Sequence, residues 1–256
     1  MKTDKTPIKK VALYAGCLID FVYPDLGEDI IEVLNHFGVE VVFPEGQTCC
    51  GAPAKYSGAK SSAIKLAQQN VEALDNPEYD AIVSACPTCI IVVRDDFLKL
   101  LGDDPKYSEG AKRIHEKTRD FTDLVMELAG EEKWAELMEG PKVTYHDSCH
   151  YNRSLGLKGV ARKALTELAG SELIEMEGSD LCCGMGGSYT VKFPELSAPI
   201  LARKLSSVEQ SGADVVAMDC PGCLMQIGGG LDKQNSKVVA KHTATILAEA
   251  LRKRKS

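Results

Sequence analysis

At 256 residues, with 44% apolar and 26% charged side chains, the chain has the make-up of a globular protein of one large or two small domains. A net charge of -7 and a pI near 5.4 speak against a nucleic-acid binder, which carries a basic stripe. No apolar run reaches the ~18–20 residues that span a bilayer, and the polar start, Met1 to Pro7, has no secretory h-region. A cytoplasmic location is expected, where thiols stay reduced and clustered cysteines bind metal more often than they form disulfides.

In chain order, residues 1–8 read as a polar leader. Lys10 to Tyr14 is an apolar run of strand length that ends at Cys17. Leu26, Ile30, Ile31, Val33 and Leu34 recur at helical spacing and predict a helix over 25–37, closed by Gly38. A strand is expected at 39–43, followed by a loop carrying Cys49, Cys50 and Gly51. A helix over 57–74 follows, then a strand at 80–84 running into Cys86, Pro87, Thr88 and Cys89. Proline suits a first helical turn, so 90–101 should be helical. Helical segments are expected at 107–117, 122–128 and 134–138, with Trp134 in a packing role.

The pattern then restarts. A strand at 142–146 ends at Cys149; a helix is expected over 159–168 and a strand at 172–176, before Cys182, Cys183 and Gly184. A helix over 194–210 and a strand at 213–218 lead into Cys220, Pro221, Gly222 and Cys223. A strand at 237–240 and a helix over 243–252 complete the reading. Each half reads strand, helix, strand, helix, strand, helix, so the expected fold is α/β: two pseudo-symmetric Rossmann-like halves, each a parallel sheet with flanking helices. The halves are placed at 9–120 and 141–252, with a helical connection over 121–140. Neither half has the Gly-x-Gly-x-x-Gly fingerprint of dinucleotide binding after its first strand.

All ten cysteines fall into two matching sets: Cys17, Cys49, Cys50, Cys86 and Cys89, then Cys149, Cys182, Cys183, Cys220 and Cys223. The offsets between matching positions are 132 (17 to 149), 133 (49 to 182) and 134 (86 to 220). Within each set the cysteines follow the first, second and third strands, and sites in open α/β sheets form beyond the carboxyl ends of strands. Three sequence-distant thiol groups should therefore meet on one edge of each sheet. A Cys-Pro-x-Cys element opening a helix favours thiolate over thiol, and the glycine after each cysteine pair lets backbone amides approach an inorganic core. Structural zinc takes four ligands; five thiols, two of them adjacent, suit a larger iron–sulfur core. An ordinary [4Fe–4S] cubane takes four thiolates, so five point to a fuller or unusual cluster; two such clusters are expected, with zinc as the competing reading.

The spacings Cys-x(31)-Cys-Cys-Gly-x(34)-Cys-Pro-x-Cys and Cys-x(32)-Cys-Cys-Gly-x(35)-Cys-Pro-x-Cys resemble the duplicated cysteine-rich CCG domain. That family includes the cysteine-rich subunit of heterodisulfide reductase, glycolate oxidase iron–sulfur subunits and lactate utilisation protein A. The resemblance covers about residues 9–251, and the segments 43–51, 148–150 and 224–231 look most like the lactate utilisation branch. It implies an iron–sulfur electron-transfer subunit of a multi-subunit oxidoreductase that oxidises lactate or a related 2-hydroxy acid. The implied partners are a ferredoxin-type iron–sulfur subunit, a flavin dehydrogenase, or both, since the chain has no Cys-x-x-Cys-x-x-Cys-x-x-x-Cys-Pro run. Both Cys-Pro-x-Cys elements are complete, as in heterodisulfide reductase relatives, so the alternative is disulfide cleavage at noncubane [4Fe–4S] clusters. A zinc-stabilised binding module is the third reading.

His146 and His150 bracket Cys149 and are candidates to tune a cluster or move protons. His242 is expected to cap the last helix, and Asp20 and Asp147 are read as caps. Arg153 and Lys192 are candidates to hold an anionic substrate or offset cluster charge; the basic end of the last helix is expected to answer that helix's dipole.

Overall fold

The computed structural model describes residues 7–130 and 139–255. Two four-stranded, wholly parallel sheets stand with helices between and outside them. The first consists of β1 (Lys10–Leu13), β2 (Glu40–Val42), β3 (Ala81–Ser84) and β4 (Thr118–Asp120), in the order β2-β1-β3-β4. The second consists of β5 (Lys142–Tyr145), β6 (Glu172–Leu173), β7 (Val215–Met218) and β8 (Val239–His242), in the order β6-β5-β7-β8. Position for position the second sheet repeats the first.

Strand alternation decides what each side faces. Val11, Leu13, Val83, Val143, Tyr145, Val215 and Ala217 point into one core shared by both halves. Into the same core come α1 (Gly16–Phe21), α2 (Pro24–His36), α8 (Phe121–Ala129), α9 (Val160–Lys163) with its continuation to 168, and α13 (Thr243–Lys255). Helix α2 packs on α13, and α8 on α9. The intervening strand positions point outward. Ala12, Tyr14 and Ile82 meet α4 (Lys60–Leu74), α5 (Pro87–Ile91), α6 (Phe97–Leu101) and α7 (Ser108–Lys117). Val216 and Met218 meet α11 (Pro194–Gln210) and α12 (Pro221–Lys233). With both faces of each sheet covered, the strands need near-continuous apolar runs, as parallel sheets do. Two short helices, α3 (Ala52–Tyr56) and α10 (Tyr189–Lys192), follow the paired cysteines.

Each half has four strands where three were expected in the first. Thr118–Asp120 was absent from the sequence reading because three residues between two helical patterns give no alternation to detect, and its edge position tolerates the charged Arg119. The last strand lies at Val239–His242, two residues beyond the expected 237–240, and the strand expected at 172–176 pairs only over Glu172–Leu173. Phe121, Leu124 and Val125 of α8 are fully buried in the shared core. The helix expected at 134–138, with Trp134, lies outside the described residues.

Arg252 donates to Asp29 at 2.6 Å and Glu32 at 2.7 Å, so the basic end of α13 clasps α2 of the other half. No helix among the described residues is long and apolar enough to cross a membrane.

Candidate metal centres

Cys17 and Cys149 follow the first strand of each half, the paired cysteines lie in the loop after the second, and Cys86 with Cys89 and Cys220 with Cys223 open the helix after the third. Cys50, Cys86, Cys89, Cys183, Cys220 and Cys223 pack on the outer side of their sheets. In the first half the contacts between thiols form one unbroken series: Cys17 to Cys49, Cys49 to Cys50, Cys50 to Cys89, and Cys89 to Cys86. The second half repeats it: Cys149 to Cys182, Cys182 to Cys183, Cys183 to Cys223, and Cys223 to Cys220. The Cys183 and Cys223 sulfurs stand 3.4 Å apart. Sequence separations of up to 74 residues (149 to 223) are thus closed by the sheet, and all ten thiols are free.

One sulfur in each series is poised as thiolate. Cys49 is drawn down to about 2 by hydrogen bonds from Cys17 and Cys50, with the Gly51 amide adding to them. Cys182 is likewise drawn down to about 2 by Cys149 and Cys183, and the Gly184 amide donates to its sulfur at 3.3 Å. The neighbours move the other way: Cys17 and Cys149 are pushed up by the thiolate beside them and by burial, and Cys183 is pushed up to about 12 by Cys182. Cys220 is drawn down to about 7, first by Cys223 and then by the amides of the helix start it caps. Gly51 and Gly184 have φ of +88° and +87°, a left-handed conformation that turns the amide back toward the preceding sulfurs. A β-carbon at Gly184 would meet the Ser197 carbonyl at 2.8 Å, so that bend is also enforced by packing.

The two centres adjoin through reciprocal contacts. Helix α1, which carries Cys17, packs against α12, which carries Cys223, with Leu18 reaching toward Gly222. The π-helical turn His150–Ser154, just after Cys149, packs against α5, which carries Cys89. There His150 Nδ1 and Thr88 Oγ1 are 2.8 Å apart, and the His150 ring lies by Tyr56. His242 Nδ1 accepts from the Ala244 amide, capping α13 as expected, and its Nε2 donates to the Ala85 carbonyl at 2.9 Å, beside Cys86.

His146 is 1% exposed, and neither ring nitrogen makes a hydrogen bond. The Ser179 backbone carbonyl lies near enough to favour a ring proton without reaching hydrogen-bond geometry. Burial, and then the charge of Lys204, holds the imidazole neutral, with its pKa down to about 3. One of its nitrogens and the Cys183 and Cys223 sulfurs all lie within 4.8 Å of one another. The first half has Tyr14 at this position; its hydroxyl donates to the Thr48 carbonyl at 2.6 Å.

Asp147 is not a cap. Its fully buried carboxylate takes two hydrogen bonds from Arg162, at 2.7 and 2.8 Å, and one from Ser179 at 2.9 Å. The pair anchors the loop ahead of Cys182. Sequence reasoning also missed Lys204, whose ammonium is buried and donates to the Gly178 and Ser179 carbonyls at 2.6 and 3.2 Å. A lysine on an amphipathic helix reads as solvated, so only the fold exposes its role. Its counterpart is Asn70 (70 to 204 is the 134 offset), which binds the Thr48 amide and the Cys49 carbonyl. Arg153 is exposed but near enough for its charge to favour the Cys149 thiolate, whereas Asp20 and Lys192 are exposed.

A profile of the cysteine-rich CCG domain matches residues 11–94 and 143–228. Lactate utilization protein A 1 of Bacillus anthracis (strain CDC 684 / NRRL 3495) is 35% identical over 245 residues, spanning 95% of this chain and all of that protein. Lactate utilization protein A of Bacillus subtilis (strain 168) is 37% identical over 239 residues, 93% of this chain and 98% of that one. Among solved structures, a hypothetical protein from Helicobacter pylori superposes with a TM-score of 0.65 at 11% identity over 96% of this chain. This chain spans about half (49%) of the length of that structure, which shares the fold.

Proposed function

Since the chain belongs to the cysteine-rich CCG family and, within it, groups with lactate utilization protein A, we propose that it is an iron–sulfur electron carrier. Its proposed setting is the oxidation of lactate or a related 2-hydroxy acid. Each half holds one core on its five cysteines: Cys17, Cys49, Cys50, Cys86 and Cys89 in the first, Cys149, Cys182, Cys183, Cys220 and Cys223 in the second. The observation that carries this reading is the unbroken sulfur series of each half.

The donor set fits such a core. All ten donors are sulfurs, one in each half is already poised as thiolate, and left-handed glycines bring amides against them. Five thiolates around one site exceed the tetrahedron that zinc prefers. When bound, the cores would supply one-electron storage, and oxidation of a 2-hydroxy acid to its 2-oxo acid releases two electrons and two protons. The chain's own part is to hold the sulfurs and keep the two centres adjacent through the contacts of α1 with α12 and of 150–154 with α5. Phe21, Tyr56, Val191 and Phe193 are exposed close in sequence to the cysteines, a rim suited to a partner subunit. The partner is expected to be a ferredoxin-type or flavin-containing subunit.

The adjacency of two five-cysteine centres also favours a second reading, cleavage of a disulfide by two one-electron steps. Anaerobic reconstitution separates these readings. About eight irons with matching labile sulfide per chain, reduced by lactate only when the partner subunits are added, supports the carrier. Thiol–disulfide turnover by the isolated chain would replace it with the second reading. About two zincs without sulfide would reject both.

A further inference from the structure

We propose that His146 is a nitrogen ligand to the core of the second half, so that the two centres, alike in their five cysteines, are chemically different. The inference rests on the iron–sulfur reading above. It comes from a difference between the halves that the cysteine pattern hides.

The two positions are equivalent by register. The Tyr14 amide donates to the Val83 carbonyl at 2.8 Å, and the His146 amide to the Ala217 carbonyl at 2.9 Å. Both side chains therefore leave the first strand of their sheet toward the outer side, where the sulfurs are. Tyr14 lies against Cys89 and Cys50, but its one polar atom is committed to the Thr48 carbonyl. Its phenol can only pack. His146 is buried to the same degree and has no committed atom. A buried polar group left without a partner costs roughly 1–3 kcal/mol, so an imidazole with two such nitrogens calls for an occupant at its site.

The surroundings narrow what that occupant is. The group within reach is the sulfur pair Cys183 and Cys223, both buried. A neutral imidazole beside two thiols is a donor set for a borderline metal such as iron or zinc. Ligating histidines ordinarily direct the second ring nitrogen at a carbonyl or carboxylate, and the Ser179 carbonyl lies near the ring, short of hydrogen-bond geometry. That carbonyl is itself fixed, accepting from the Asp147 amide at 3.0 Å and from Lys204 at 3.2 Å. The aspartate is locked in turn by Arg162. The first half has Asn70 in place of this lysine and a phenol in place of the imidazole.

The buried Lys204 charge lies near Cys183 and Cys223 and favours the reduced, more negative state of a core held there. The second centre should therefore be the more readily reduced and hold the electron at rest.

The test is pulsed EPR on the anaerobically reconstituted full chain, grown with natural or ¹⁵N-labelled histidine, in its paramagnetic state. A directly coordinated nitrogen that changes with the label, is lost in His146→Tyr and His146→Asn with iron content retained, and persists in His150→Gln is the expected result. In the same variants one of the two midpoint potentials should shift while the other stays. A loaded wild-type protein without nitrogen coupling overturns the inference even if the variants do not fold, and coupling that survives in the variants does so too; either leaves the iron–sulfur reading intact. A chain that takes up no iron and sulfide removes both.

Discussion

Thr88 and His150 face each other at 2.8 Å across the boundary between the halves, one inside the first Cys-Pro-x-Cys element and the other directly after Cys149. Each centre thus places a residue in the wall of the other. A half-buried hydrogen bond of this kind contributes ~0.5–1.5 kcal/mol. A double-mutant cycle with Thr88→Val and His150→Phe, followed by urea unfolding of the metal-free chain, should give a coupling energy of that size. Additive effects would mean that the two walls are independent.

Gly51 and Gly184 share a left-handed backbone but differ in what surrounds them. A β-carbon at Gly51 meets only Leu66 and Ala63 at 3.5 Å or more, whereas at Gly184 it meets the Ser197 carbonyl at 2.8 Å. Gly51→Ala should cost ~1–2 kcal/mol for the left-handed strain alone. Gly184→Ala should cost more and lower iron uptake by the second centre specifically. Thermal melts and iron content per chain check both, and equal effects would count against the packing argument.

Asp120 and Asp219 lie close together in the interior, where Asp219 accepts hydrogen bonds from Thr122, Tyr145 and Thr243. Burial, and then the Asp219 charge, raises the Asp120 pKa well above its ordinary value. A raised pKa in the folded state means that Asp120 contributes its full stability below the unfolded value, near pH 4. That contribution is lost as pH rises toward the folded value. Asp120→Asn keeps the cap that accepts from the Asp123 amide and removes the charge. The variant should match the parent near pH 4 and exceed it increasingly up to pH 8, by at most ~1.4 kcal/mol per pH unit. Urea unfolding at a series of pH values reads this directly; a constant difference would show that the carboxyl is not protonated in the fold.

Asp29, 5% exposed, relies on a half-exposed Arg252 reaching over from α13. Arg252→Ala leaves that carboxylate without its cation and opens the α2–α13 seam, at a cost of ~1–2 kcal/mol after allowing for solvent screening. Asp29→Asn should recover part of the loss in the same background. No recovery in the double variant would assign the effect to packing of the arginine stem.

Loading the centres should stabilise the whole chain, since ligands spread over 17–89 and 149–223 are gathered only in the folded state. Removing iron by a chelator under anaerobic conditions should lower the melting temperature. Cys50→Ser and Cys183→Ser should each remove about half of the bound iron.

The duplication, the α/β class and the helices expected at 194–210 and 243–252 were legible in the linear chain, because a cysteine spacing and a 3.6-residue period survive without any tertiary context; the last helix runs three residues further, to Lys255. So was the meeting of three cysteine groups at one sheet edge, which follows from strand order alone. Thr118–Asp120 was not, since three residues carry too little pattern to outweigh the helices on either side. Nor could sequence assign Asp147 to Arg162 rather than to a helix start, or bury Lys204: those outcomes depend on groups brought together from 15 to 26 residues away. The cysteine pattern is symmetric, and it conceals the asymmetry that matters. Only folding puts Tyr14 and Asn70 around one set of thiols and His146 and Lys204 around the other, because an outward strand position acquires its surroundings from the helix and loop of its own half that cover that face.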